Sequence, residues 1–397
     1  MSKVFETRSV EWAPWPVFDE EQIRAVADVL ASGRVNQWTG SEVWEFEKEY
    51  ARYLGRRHAV AVMNGTSALE LALKAFGIGP GDDVVTTPRS FIATASSAVL
   101  QGARPVFADV DRDSGNITAA TIEAALTPRT KAIIVVHLAG WPADMEAIME
   151  LADARGLVVI EDCAQAHGAE VGGRPVGAYG HAATFSFCQD KIITTGGEGG
   201  LVALDDEDAW NVAWSYKDHG KSFEAVFERE HAPGFRWLHE SFGTNWRMTE
   251  VQAVLGRLQL RDLAKTVETR NRNAALLLEG LAGTPGLRLP VVGAGAVHAY
   301  YKLYAYVEPE ALRSGWDRDR IMNELNAAGI PVTAGSCSEM YREVAFTSQG
   351  LGPAAPLPVA RELGDTSLMF QVHPGLSAEA LRAAADVTRE LLLAAGR

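Results

Sequence analysis

The sequence predicts an α/β fold, a mostly parallel sheet flanked by helices, with a smaller α+β portion after it. Three observations carry this. From about residue 57 short apolar runs alternate with helical patterns, as repeated strand–helix units with right-handed crossovers require. The apolar runs are nearly continuous, which fits strands covered on both faces. Near residue 263 the texture changes, and the expected division is 1–262 and 263–397.

Taken in order, Arg57-His58-Ala59-Val60-Ala61-Val62-Met63 reads as the first strand. Leu69, Ala72, Leu73 and Phe76 then follow the i, i+3, i+4, i+7 spacing of a helix. Asp83 to Thr87 is a second strand and Ile92 to Leu100 a second helix. Pro105 to Asp109 is a third strand, Ala132 to His137 a strongly apolar fourth, with a helix over 143–154. Leu157 to Asp162 is a further buried strand. A long helical stretch, 263–282, leads into a segment with Pro285, Pro290 and several glycines. There is no internal repeat or low-complexity tract.

With 397 residues and 47% hydrophobic content, the chain can build a large core divided among two or three domains. The net charge of -14 argues against a general nucleic-acid or membrane-surface binder. An anionic substrate would therefore need a local basic or amide-rich pocket. Three cysteines, Cys163, Cys188 and Cys337, are an odd and sparse count that fits a reducing compartment. Met1 to Trp15 show no basic region followed by an apolar stretch, and no apolar run reaches roughly eighteen residues. A cytoplasmic protein is expected.

Ligands of open α/β sheets sit at the carboxyl ends of the strands. Three strand ends here carry useful chemistry. Asn64-Gly65-Thr66-Ser67 is a glycine-hydroxyl turn opening a helix. Its free N–H groups suit a phosphate, and equally a plain helix cap. Glu161-Asp162-Cys163-Ala164-Gln165 puts carboxylates at the end of a buried strand, where they must be paired, either in a structural bridge or with a ligand. Phe185-Ser186-Phe187-Cys188-Gln189-Asp190-Lys191 is followed by Thr194-Thr195-Gly196-Gly197-Glu198-Gly199-Gly200. That glycine density means a tight bend or a close approach.

Other motifs fail. Gly220-Lys221-Ser222 ends like a phosphate-binding P-loop, but position 215 is Ser. No Gly-x-Gly-x-x-Gly is present, His239-Glu240 lacks a second histidine at metal-binding spacing, and no cysteine pair is spaced for a metal. No metal is expected. Cys163 and Cys188 read as packed thiols at strand ends.

Together the segments resemble the DegT/DnrJ/StrS sugar aminotransferases, a group of fold-type-I pyridoxal-phosphate (PLP) enzymes. The resemblance covers nearly the whole chain, from Gly40 through Phe91 to Phe242-Gly243-Thr244-Asn245-Trp246-Arg247-Met248-Thr249-Glu250. The order and spacing of five separated motifs make it specific. It implies a large domain with a mostly parallel seven-stranded sheet and a smaller C-terminal α+β domain. It implies Lys191 as the Schiff-base lysine, Asp162 as partner of the pyridine nitrogen, and Gln165 on the ring hydroxyl. Gly65, Thr66, Ser67 and Ser186 match the phosphate cradle, and Phe91 the aromatic stacked on the ring. Asn245 matches a phosphate contact that the family supplies from the neighbouring subunit of a homodimer. Cys188-Gln189-Asp190 departs from the family's usual residues before the lysine, and the glycine stretch runs one residue longer. Both bear on substrate choice.

The implied activity is transfer of an amino group, with glutamate as the expected donor, to a nucleotide-linked ketosugar. A keto-cyclitol acceptor and a non-catalytic PLP-binding sensor are the alternatives. A dehydratase of this family carries a histidine where Lys191 stands, and no basic helical module of a sensor is visible.

Overall fold

The computed structural model of the chain describes residues 11–397. Residues 1–10, on which the N-terminal targeting expectation partly rests, lie outside the described residues. The chain begins with α1 (Glu20–Ser32) and α2 (Glu42–Leu54). There follow β1 (His58–Val62), α3 (Gly65–Ala75), β2 (Asp83–Thr86), α4 (Ala93–Leu100), β3 (Arg104–Phe107), α5 (Ala119–Ala125), β4 (Thr130–Val136), α6 (Met145–Arg155) and β5 (Val158–Asp162). After the short β6 (Glu170–Val171) and β7 (Arg174–Pro175) come β8 (Ala182–Ser186) and β9 (Gly200–Leu204). Helices α7 (Glu207–Lys217), α8 (Phe223–Phe227) and α9 (Glu250–Arg261) complete the first part.

The main sheet has seven strands in the order β1-β9-β8-β5-β4-β2-β3. Pairs along β8-β5-β4-β2-β3 are parallel, whereas β9 runs antiparallel to both β1 and β8. Continuous apolar strands are explained by two cores, one on each face. In β4, Ala132 and Ile134 enter one core while Ile133 and Val135 enter the other. Full burial of each valine or isoleucine among them contributes about 1.5–3 kcal/mol relative to exposure. The third strand stops at Phe107, short of the expected Asp109. Asp109 instead accepts hydrogen bonds from the N–H groups of Val359 and Ala360, at the start of a helix 250 residues away.

The rest comprises α10 (Leu263–Leu281), β10 (Leu287–Arg288), β11 (Ala296–Val297), β12 (Leu303–Val307), α11 (Arg318–Ala327), β13 (Val332–Thr333), α12 (Val344–Thr347), α13 (Pro358–Thr366), β14 (Ser367–Phe370) and α14 (Ala378–Ala395). An antiparallel sheet, β10-β12-β14-β13, packs with α10, α11 and α14 around a separate core. Trp12 belongs to this second core: it packs against it, and its indole N–H donates to the Gly329 carbonyl (2.8 Å).

Candidate active site

A cleft of about 1000 Å³ opens at the carboxyl ends of β1, β5 and β8, lined also by residues between Tyr301 and Gln371. Each of these strand ends brings polar side chains to it.

Asn64, just after β1, caps α3: its Oδ1 accepts from the Ser67 N–H (2.9 Å) and from the Ser67 hydroxyl (3.0 Å). Ser67 is thereby buried and does not line the cleft, whereas Gly65 and Thr66 do. Gly65 lies against the end of β8 so closely that a Cβ there would sit 2.6 Å from the Ser186 Cβ. The turn, the Ser186 side chain and the N–H groups at the start of α3 lie together at this end of the cleft, an arrangement that could receive a small anion.

Asp162 ends β5 and is buried. Its Oδ2 accepts from the Thr94 hydroxyl (2.8 Å) and its Oδ1 from the Ala164 N–H (3.2 Å). Burial pushes its carboxyl above the usual range, against the opposing pull of Thr94, the Ala164 N–H and Lys191. The Ser90 hydroxyl holds that of Thr94 in turn (3.0 Å). Gln165 accepts from the Ala139 N–H through Oε1 (2.8 Å), which leaves its NH₂ to serve the cleft.

Lys191 lies in the connection 187–199 between β8 and β9. Its carbonyl accepts from the Trp15 indole (3.1 Å), and its Nζ lies 4.9 Å from the centre of the Tyr301 ring. The Tyr301 hydroxyl donates to the Asp190 carboxylate, so the departure at residue 190 has a partner. Phe91 also lines the cleft and is 67% exposed, free to cover a planar ligand. Asn245 does not line this cleft. Its backbone bridges to Asp218, in a segment where Phe242 is 99% exposed.

Several groups escaped the sequence reading. Thr94 has a faint signal, standing one helical turn after Ser90. Tyr301 and Lys302 have none, because only tertiary packing brings the segment before β12 to Lys191. Cys188 is a correction: it lies past the end of β8, half-buried and on the cleft, rather than packed in a strand. Cys163 is packed, and burial pushes its thiol up.

Among the described residues one grouping has metal-ligating types, His137, Glu161 and Cys163, with ligand atoms within 4.8 Å of one another. Its capacity is already used. His137 meets Glu161 through Nε2 (3.1 Å) and accepts from the Ala143 N–H through Nδ1 (3.0 Å). Glu161 also accepts from the N–H groups of Gly177, Tyr179 and Gly180.

The profile of the DegT/DnrJ/EryC1/StrS aminotransferase family matches residues 16–388. Among solved structures, the chain is similar to the aminotransferase from Psychrobacter cryohalolentis, with 52% identity and a TM-score of 0.95, covering 97% of this chain and 100% of that one. It is 37% identical over 353 residues to the UDP-N-acetyl-3-dehydro-alpha-D-glucosamine 3-aminotransferase of Acidithiobacillus ferrooxidans, covering 89% of each. It is 35% identical over 366 residues to the dTDP-3-amino-3,4,6-trideoxy-alpha-D-glucose transaminase of Streptomyces venezuelae, covering 92% of this chain and 90% of that one. A match across nearly the whole length, on a fold that gathers a lysine, a buried aspartate and a glycine-hydroxyl helix start in one cleft, makes this chain a member of the DegT/DnrJ/EryC1/StrS aminotransferase family.

Proposed function

We propose that the chain is a PLP-dependent aminotransferase that moves an amino group from glutamate to a nucleotide-linked ketosugar, working as a homodimer. The observation that carries this is the pairing, in one cleft, of the buried Asp162 carboxylate with the Lys191 amine, beside the anion cradle of Gly65. The donor set fits the cofactor. A buried carboxylate with one open side suits a protonated ring nitrogen, an amide suits a ring hydroxyl, and a glycine pressed on Ser186 leaves room for a phosphate.

PLP, when bound, supplies an electron sink for the carbanion left by proton loss beside the amine. The chain's own residues do the rest. Asp162 holds a proton on the ring nitrogen, and Thr94 keeps the carboxylate aimed. Lys191 would hold the cofactor through its amine, and as a free amine it would carry a proton between carbon atoms of the substrate side. Gln165 orients the ring through its hydroxyl. Gly65, Thr66, Ser67 and Ser186 secure the phosphate, Ser67 through the cap, and Asn245 adds a donor from the second subunit. Phe91 covers the ring and excludes water.

Two of the relatives are named for UDP- and dTDP-linked sugars, which supports a nucleotide-linked acceptor and leaves the nucleotide to experiment. The test is a panel of UDP-, dTDP- and GDP-linked ketosugars plus a keto-cyclitol, with glutamate as donor and mass detection of the aminated product. Amination of the keto-cyclitol alone would replace the acceptor, and PLP binding without any turnover would reduce the chain to a sensor.

A further inference from the structure

Lys302 stands directly before β12, beside Tyr301, and lines the same cleft as Lys191 and Asp162. Its ammonium lies 4.9 Å from the centre of the Tyr301 ring, the distance at which the Lys191 ammonium also sits. The two nitrogens are therefore no further apart than twice that distance. Among the described residues the Lys302 ammonium has no hydrogen-bond or ion-pair partner; the nearby Asp190 carboxylate takes the Tyr301 hydroxyl instead. Burial holds Lys302 below the usual lysine range, with Asp190 pulling the other way.

The cleft's charge makes this lysine informative. The lining residues include four carboxylates, Asp162, Asp190, Glu198 and Glu343, and two cations, Lys191 and Lys302. Lys191 is committed to the cofactor. Lys302 is then the one side chain of this lining that offers an ammonium to an incoming anion, in a protein of net charge -14. Arg270 lies behind it, donating to the carbonyls of Tyr300 and Tyr301 (3.2 Å each), and its charge, like that of Lys191, works against the Lys302 ammonium. The Lys302 backbone is fixed by the turn that also orients Gln165, since its N–H reaches the Ala139 carbonyl (3.5 Å).

We propose that Lys302 binds the α-carboxylate of the amino donor. Two anions enter this cleft under the reading above, on which this inference rests: the donor's carboxylate and the acceptor's diphosphate. The carboxylate is one bond from the carbon that reacts at Lys191. The diphosphate is separated from the aminated carbon by the sugar ring and the glycosidic oxygen. A cation that shares one aromatic ring with Lys191 matches the nearer anion. The charge-assisted contact orients the donor and selects α-amino acids over plain amines.

The test compares holoenzyme carrying Lys302→Met with wild type in the donor half-reaction alone, followed by loss of the cofactor's visible absorbance. L-Glutamate is set against 4-aminobutyrate, the same molecule without the α-carboxylate. The half-saturating glutamate concentration should rise about tenfold to a hundredfold, and the preference for glutamate over 4-aminobutyrate should shrink by a similar factor. Lys302→Arg should recover part of the loss, and calorimetric affinities for UDP, dTDP and GDP should be unchanged. Unaltered glutamate saturation in a folded variant overturns the proposal. A defect confined to nucleotide binding also overturns it and makes Lys302 a phosphate contact. If Lys302→Met fails to fold, Lys302→Gln takes its place. A wild type that reacts with none of glutamate, glutamine, aspartate and alanine removes the underlying aminotransferase reading instead. Calorimetric binding of 2-oxoglutarate, expected to weaken in the variant, then decides Lys302 on its own.

Discussion

Glu161 and Asp162 are consecutive at the end of β5, and strand alternation sends their carboxylates to opposite faces with opposite fates. Glu161 is enclosed by three backbone N–H groups and His137. Asp162 has two donors, Thr94 and the Ala164 N–H, and one side open to the cleft. Burial opposes ionisation of both. In Glu161 the partners win and the carboxyl lies below its usual range; in Asp162 burial wins and it lies above. One carboxylate is closed in by its partners, and the other stands open to the cleft.

The first prediction follows from the raised carboxyl of Asp162. Such a group binds protons more tightly folded than unfolded, so it subtracts stability once the pH rises above the unfolded aspartate value of about 3.9. Cofactor-free Asp162→Asn should therefore melt at or above cofactor-free wild type at pH 7, with the difference vanishing as the pH falls towards that value. With PLP the order should reverse, because an amide cannot pair with a protonated ring nitrogen. Turnover should fall on the order of a hundredfold or more. Melting curves with and without PLP, plus a rate, check this. Wild-type turnover in the variant would leave Asp162 as a cap.

The second concerns Glu161→Gln, which removes the charge from a saturated buried site. It should destabilise the protein by about 3 kcal/mol at pH 7. A depressed carboxyl contributes its stability above the unfolded glutamate value, about 4.3, and loses it as the pH drops through the folded value. The gap in urea midpoint between wild type and variant should be full at pH 7 and narrow below that range. Matching midpoints at neutral pH would show the bridge to be worth nothing.

The contrast between these neighbours shows what the sequence can and cannot carry. A carboxylate at the end of an apolar strand must be paired, and that much is readable; which of two adjacent ones faces a ligand depends on the 177–180 loop closing over Glu161. The parallel strands and their order along the chain were legible because two-sided burial enforces continuous apolar runs. Asp109 reads as strand because it extends such a run, yet it caps α13, a partner 250 residues distant. Thr94, Tyr301 and Lys302 are ordinary in sequence and become chemical only through tertiary placement. Ser67 shows the reverse, since its motif is plain while its hydroxyl is spent on Asn64.

Lys191 is the third test. Borohydride reduction of the yellow holoenzyme should fix the cofactor to a single peptide containing Lys191. Lys191→Ala should lose about a thousandfold or more in turnover, since anchoring and proton transfer fail together. Labelling of a different lysine would transfer the role elsewhere.

Gly65→Ala probes the cradle. The added Cβ would lie 2.6 Å from that of Ser186, so α3 and the end of β8 must separate. Overpacking of this kind costs about 1–3 kcal/mol. The melting temperature should drop, and PLP affinity, followed by quenching of tryptophan fluorescence, should weaken about tenfold or more. A variant that binds PLP as wild type does would mean that the phosphate lies elsewhere in the cleft.

The last prediction concerns assembly. Asn245 lies outside its own chain's cleft, in an exposed segment beside Phe242. A contribution to the partner's phosphate cradle accounts for both facts, and a phosphate shared across a two-fold axis draws donors from both chains. Two inactive homodimers, Lys191→Ala and Asn245→Asp, decide the matter when they are mixed after gentle unfolding and reassembly. If the residues act in trans, one site of each mixed dimer carries both lesions and the other carries neither. Half of the dimers are mixed at equal input and half of their sites are intact, so about a quarter of wild-type activity should return. If they act within one chain, every site keeps a lesion and no activity returns. Light scattering adds an independent check, since a dilute monomer that retains full activity cannot be borrowing Asn245 from a neighbour.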